Sequence, residues 1–92
     1  MTREDFLPHV ATDFILVGAE PPFILSLAEA TPLRQFDAAR RAPFALVFES
    51  ADPRPIEQAQ YPLHHDALGA LDIFLVPIGR DACGATYEAV FN

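Results

Sequence analysis

The sequence contains no lysine and no tryptophan, and its 92 residues include a single cysteine, Cys83. One cysteine excludes an internal disulfide, so packing has to stabilise the fold, alone or together with a partner chain. Basic residues are also few, because six Arg stand against 13 Asp and Glu, which gives a net charge of −7 with His neutral. This acidic balance argues against a nucleic-acid-binding protein, whose binding surface is normally basic.

Long apolar segments are missing as well. The longest continuous apolar stretches, among them residues 73–78 with Pro77, are far shorter than the roughly 20 residues of a membrane-spanning helix. The residues after Met1, Thr-Arg-Glu-Asp, do not form the basic start and apolar run of a signal peptide. We therefore expect a cytoplasmic protein that does not associate with membranes.

Apolar side chains are abundant nevertheless, at 51% of the residues with eight Phe, and the length fits one domain over residues 1–92. Thr2 and Asp5 have the spacing of a helix cap, which predicts a short helical turn limited by Pro8. Apolar residues then alternate with period two or form short runs bounded by turn residues, which predicts strands over residues 13–18, 23–28, 44–49, 57–64, 71–78 and 87–91. These features predict an all-β, antiparallel barrel or sandwich of about six strands.

Three local features refine this prediction. Residues 31–42 are interpreted as a connection, with an amphipathic turn around residues 36–40 as one form it could take. Pro62 predicts a sheet edge or a bulge, since proline has no N–H to donate. The strand over residues 71–78 is apolar on both faces from Ile73 to Val76, which predicts a central strand that is covered on both sides.

A metal site is one hypothesis, because His64, His65 and Asp66 supply ligands that zinc accepts. Adjacent residues of a strand point to opposite faces, however, and His9 is the only other histidine. The interpretation of these residues as a polar strand end without a metal is therefore favoured. We predict no metal and no cofactor.

The sequence support for a catalytic site is weaker still. Cys83 lies in a predicted turn over residues 79–84. Arg80 and Asp81 have opposing effects on the reactivity of its thiol, and no general base is nearby in sequence. Ser26 and Ser50 lack the flanking glycines of a nucleophile elbow. The four glycines are scattered and cannot form a phosphate-binding loop. We predict that the protein is not an enzyme.

The apolar excess points instead to an interaction role, set against a filled barrel that needs no partner. The predicted interaction surface comprises Ile73, Leu75, Ile78, Tyr87 and Phe91, with binding through apolar burial or a sheet edge. We expect a protein partner or a homo-oligomer, with no nucleic acid and no membrane. The alternative is a β-barrel that binds a small ligand in an internal cavity.

Several segments also resemble a known family. They are RAPFALVF (41–48), QAQYPLHH (58–65), LGALDIFLVPIG (68–79) and YEAVFN (87–92). Together they are similar to the DUF6916 family of small bacterial proteins of unknown function, with a departure at Ala59, where we expect glycine. The resemblance implies a compact β-domain that is the entire gene product, with no catalytic residues to carry over. It also implies a loose association with phage-tail-like or surface-fibre assemblies.

Overall fold

The computed structural model describes residues 1–34 and 42–91, and within them the chain is all-β apart from one short helical segment. Helix α1 (Arg3–Phe6) runs into a 3-10 turn (Leu7–His9), and six strands follow: β1 (Asp13–Leu16), β2 (Phe23–Pro32), β3 (Phe44–Ser50), β4 (Ala59–His65), β5 (Gly69–Asp81) and β6 (Gly84–Phe91). The predicted fold class is therefore confirmed. The turn considered around residues 36–40, the adjacent Arg41 and the terminal Asn92 lie outside the described residues. No helix in the described part of the chain is long and apolar enough to cross a membrane.

The strands form one closed antiparallel barrel in the order β1-β2-β3-β6-β5-β4. A short ladder between β1 and β4, with Ile15 opposite His64 and Leu16 opposite Leu63, closes the ring. The ring divides into two halves of three adjacent strands each. We call β4-β1-β2 the first wall and β3-β6-β5 the second wall. Closure decides between the barrel and the sandwich that the sequence leaves open.

Helix α1 covers one end of the barrel. The Thr2 backbone N–H donates to the Asp5 carboxylate at 2.7 Å, as the cap spacing predicts. Phe6 is fully buried, and its ring centroid lies 5.9 Å from that of Phe44 and 5.6 Å from that of Phe91. The helix is therefore anchored by an aromatic cluster that closes this end of the interior.

The interior is filled by the inward-facing residues of all six strands. Alternate positions are buried along each strand, including Phe14, Leu25, Phe48, Leu63 and Leu75, each 0% exposed. The Phe14 and Phe48 rings meet edge to face at 5.3 Å. This alternation is the reason why the period-two pattern predicted the strands correctly.

Three strands, β2, β5 and β6, are each longer by three or more residues than the sequence pattern predicts. β2 continues to Pro32 and β5 continues to Asp81, so part of the predicted 31–42 connection and of the predicted 79–84 turn is strand. The register of β5 against β6 shifts between Pro77 and Gly79. Proline supplies no N–H to a ladder, and a bulge at this point lets β5 continue beyond it.

Pro62 occupies a local edge, as predicted. Its carbonyl oxygen accepts the Val17 N–H at 2.9 Å, so the side of Pro62 that lacks an N–H faces β1. The paired residues of β4 along β1 end at Leu63. The position at which Pro62 lacks an N–H therefore lies just beyond the last residue pair of the ladder between β1 and β4.

Candidate functional site

The structure corrects most of the predicted interaction surface. Ile73, Leu75 and Tyr87 are 2%, 0% and 1% exposed and belong to the core. Phe91 is half-buried and stacks on Phe44 at the capped end of the barrel. Of the five predicted residues, only Ile78 is an exposed apolar side chain. The prediction was wrong for Ile73 and Leu75 because residues 73–76 are apolar on both faces, so the pattern does not indicate which face points inward.

A signal for the correct face was present in the sequence. Asp72, Phe74 and Val76 share one face of β5, and a carboxylate on a strand normally marks the solvent side. Glu88 marks the same side of β6 for Val90. Phe74 is 49% exposed and Val90 is 50% exposed. The outer face of β5 is therefore not covered, contrary to the predicted covering on both sides.

Five outward-facing residues lie together on the second wall: Val47, Phe74, Val76, Glu88 and Val90. We call this set the docking face. Glu88 pairs with Val47 of β3 on one side and with Val76 of β5 on the other. Phe74 lies two residues before Val76 and Val90 lies two residues after Glu88, each on the outward side of its strand. The Glu88 carboxylate has no hydrogen bond or ion pair with any residue in 1–34 or 42–91. The docking face is thus apolar with one unpaired negative charge inside it.

His65 is the most constrained polar side chain in the interior, at 4% exposed. Its Nδ1 accepts the backbone N–H groups of Ala67 at 3.0 Å and Leu68 at 3.2 Å. Its Nε2 lies 2.8 Å from the Thr12 hydroxyl, which donates its own proton to the His9 carbonyl oxygen. Because Nδ1 accepts two donors, we assign the proton of the neutral ring to Nε2. The imidazole therefore ties the turn after β4 to the segment before β1.

The surroundings of His65 favour the neutral ring. Burial lowers the pKa of His65 below its ordinary value of 6.5, and the nearby His9 lowers it further, with ring centroids 4.7 Å apart. Asp66 raises the pKa of His65, but more weakly, and His64 also lowers it. A proton on Nδ1 would also displace both backbone donors. His65 is a structural residue whose protonation opposes folding.

We expect the free energy of unfolding to decrease as the pH falls below about 6.5, because the unfolded chain binds a proton that folded His65 resists. The stabilisation is fully present above the unfolded pKa and is lost toward the lower folded pKa. Urea unfolding at several pH values between about 7.5 and 5.5 measures this pH dependence. Most carboxylates titrate below that range, so they contribute little to it. His65→Gln should reduce the dependence, and the exposed His64→Gln should retain it. Equal pH dependence in the two variants would contradict the assignment.

The histidine pair of β4 does not form the metal site considered from the sequence. His64 is exposed on the outer surface and His65 is buried inside, as expected for adjacent strand residues. Both nitrogens of His65 already have hydrogen-bond partners. Across the described ranges, no three His, Cys, Asp or Glu side chains are grouped so that they could hold a metal ion.

The candidate nucleophiles are placed in ordinary structural roles. Cys83 is exposed in the β5–β6 turn, where its backbone N–H donates to the Asp81 carboxylate at 2.8 Å. Ser50 is buried, and its hydroxyl donates to the Ile24 carbonyl oxygen at 2.7 Å and accepts the Asp52 N–H at 3.2 Å. Neither group has a general base beside it among these contacts. The geometry offers no activation for either one.

Arg54 is occupied in a loop and is not available to bind an external anion. Its guanidinium donates to both Asp52 carboxylate oxygens, at 2.9 and 2.7 Å, and to the Pro21 carbonyl oxygen at 2.8 Å. It also lies over the Phe23 ring, 5.4 Å from the centroid. The hydrogen bonds from Arg54 lower the pKa of Asp52 to about 2. This pair joins the loop after β3 to the loop before β2.

A cavity of about 530 Å³ lies at the end of the barrel beside α1. It is lined by Met1, Thr2, Arg3, Glu4, Pro32, Ala42, Pro43, Phe44 and Phe91. Its volume is within the range of about 300–1,000 Å³ that is typical of small-molecule sites. The cavity combines two aromatic rings with a few polar groups, although it is at the end of the barrel and not inside it.

The comparison with family models matches nearly the whole chain. A model described as Domain of unknown function (DUF6916) covers residues 1–91. This range extends the resemblance of the later segments through α1, β1 and β2, so it includes both walls of the barrel. No curated protein and no solved structure shows significant similarity to the chain.

Proposed function

This chain belongs to the DUF6916 family, a family defined without a function, and we propose from its geometry that it is a non-enzymatic interaction subunit that binds a protein partner on the docking face. The observation that carries the proposal is the pair of half-exposed apolar side chains, Phe74 and Val90, on the same wall as the unpaired Glu88 carboxylate. The cytoplasmic location that the sequence favours is part of the same proposal.

The energetics support binding at this face. Complete burial of a Phe or Val side chain contributes about 1.5–3 kcal/mol, so covering the exposed halves of Phe74 and Val90 contributes about 1 kcal/mol each. An exposed apolar surface that includes an aromatic residue is typical of protein interfaces. Glu88 would then select the partner by charge, since a carboxylate that is buried without a partner is costly.

Phe74→Ser should weaken partner binding by at least about tenfold, because it removes the largest apolar side chain of the face. Affinity capture from native cells, with the captured protein identified and then titrated as purified material, measures this change. Leu7→Ser is the matched control, since Leu7 is 39% exposed on the 3-10 turn and lies outside the face. Unchanged affinity of Phe74→Ser for the identified partner would refute the proposed face.

A second candidate function rests on the cavity beside α1. Its volume and its aromatic lining from Phe44 and Phe91 fit a small apolar ligand. Glu4 and the Arg3 guanidinium, whose Nε–H donates to the Ala30 carbonyl oxygen at 2.8 Å, add polar groups to the lining. Native mass spectrometry of the protein purified without denaturation would detect such a ligand. This function predicts that binding is unaffected by Phe74→Ser, which separates it from docking.

A further inference from the structure

The first wall carries a second exposed apolar row. Ile24 of β2 lies opposite Ile15 of β1, Ile15 lies opposite His64 of β4, and His64 lies opposite Ala70 of β5. Ile24 is 45% exposed, Ile15 is 39% exposed, and Val17 beyond the end of β1 is 51% exposed. We call Ile15, Val17, Ile24 and His64 the opposite face. The His64 ring has no hydrogen bond or ion pair with the described residues.

The ring order of the strands places the two faces on opposite sides of the molecule. The opposite face is centred on β1, and the docking face is centred on β6, which is three positions away in a ring of six strands. A surface on one wall therefore cannot contact the surface on the other wall of the same chain. Two copies can bring them together.

The two faces complement each other in hydrogen-bonding polarity. The row on the docking face runs Val47, Glu88, Val76, and the row on the opposite face includes Ile15, His64, Ala70. Each row has one polar group between apolar side chains, an acceptor in one case and a ring N–H donor in the other. Pairing two docking faces would instead place two Glu88 carboxylates against each other, which is unfavourable.

We propose that the partner of the docking face is the opposite face of a second copy of this chain, with His64 of one copy donating a hydrogen bond to Glu88 of the next. This inference rests on the proposed function, for which it names the partner. Because two different surfaces meet, every assembly keeps one unused docking face at one end and one unused opposite face at the other, and the copies add head to tail into an open chain. Sheet faces pack together in this manner at about 10 Å.

Size and charge set the conditions for this assembly. The molecule measures 43 × 27 × 22 Å, so a wall can supply the roughly 800 Å² per partner that is usual for a stable interface. The net charge of −7 makes copies repel one another at low ionic strength. Added salt screens this repulsion, so assembly should increase with salt concentration. Asp13, on the same wall as Ile15, is the nearest carboxylate along β1, and Asp13→Asn should strengthen association.

Mixing two variants that each lack one face tests the head-to-tail arrangement. Phe74→Ser disables the docking face, and Ile15→Ser disables the opposite face. Light scattering coupled to size exclusion should show wild-type mass that grows beyond a dimer with concentration, and a monomer for each variant alone. The mixture should form a dimer and nothing larger, because each variant supplies the face that the other lacks. Leu7→Ser should assemble as the wild type does, and circular dichroism should confirm that all variants are folded.

A charge exchange tests the contact between His64 and Glu88. Glu88→Lys should lower the association constant at least about tenfold, and adding His64→Glu in the same chain should restore it, since the donor and the acceptor then exchange places. A wild-type protein that is strictly monomeric at high concentration and high salt would overturn the assembly. So would a mixture that stays monomeric. If that monomer still captures a different protein through Phe74, the proposed function stands; if it captures none, both fail.

Discussion

Replacing Phe6 by alanine is expected to lower the free energy of unfolding by about 3–5 kcal/mol. Phe6 is 0% exposed and contacts the Phe44 and Phe91 rings at the end of the barrel. Alanine would leave a cavity between these rings, which partial relaxation cannot fill. Since a domain of this size has a total stability of only about 5–15 kcal/mol, the loss is a large part of the whole.

Chemical denaturation followed by circular dichroism measures the change. Leu7→Ala is the matched control, because Leu7 is adjacent in sequence, apolar and 39% exposed. Its effect should stay within about 0.5 kcal/mol. If Phe6→Ala were as stable as Leu7→Ala, the helix would not be an integral part of the barrel core.

Gly84→Ala is expected to destabilise the protein by about 3 kcal/mol, for two reasons that act together. Gly84 begins β6 with φ at +144°, a conformation that residues with a side chain rarely adopt. A β-carbon would also overlap the carbonyl oxygen of Ser50 and lie 2.9 Å from its carbonyl carbon. Relief of this overlap has to move β3 away from β6 at the pair formed by Ser50 and Ala85.

Gly79→Ala provides the control for this substitution. Apart from Gly79 and its two chain neighbours, no heavy atom of the described residues lies within 4 Å of the position that a β-carbon would take at Gly79. The free energy of unfolding should therefore stay the same or rise by up to about 0.5 kcal/mol, since alanine loses less backbone entropy than glycine on folding. Thermal unfolding of both variants gives the comparison. Equal stability of Gly84→Ala and Gly79→Ala would show that the approach of Ser50 is not as close as described.

A head-to-tail contact gives a physical reason for the distribution of apolar side chains. Exposed apolar residues on one wall would suffice for a dimer, whereas this barrel exposes them on both walls. The acidic net charge then limits assembly until copies are concentrated or the charge is screened. Both walls lie within the range that the family model matches, so the same design can be sought in other members of the family.

For the predicted interaction residues, the strand was predicted correctly, but the side of the strand that faces solvent was not. Residues 73–76 predicted a strand, and β5 contains them. The choice of Ile73 and Leu75 as surface was an error, because both face the core. Asp72 at the start of the same face as Phe74 carried the information needed to avoid it. Tyr87 was misplaced for a related reason, since an aromatic residue fits either face, and here it is inside.

The sequence by itself determined much of the local structure of this protein: the cap at Thr2 and Asp5 and the presence of six strands, although not all of their ends. These properties depend on side chains that are close in sequence, so a period of two residues is enough to reveal them. Only the tertiary structure decided which strands are neighbours, that the sheet closes, and that Glu88 lies between Val47 and Val76. Ring closure depends on contacts between residues far apart in the chain, and it also selects which side of β5 is buried. The faces proposed for binding follow from that choice.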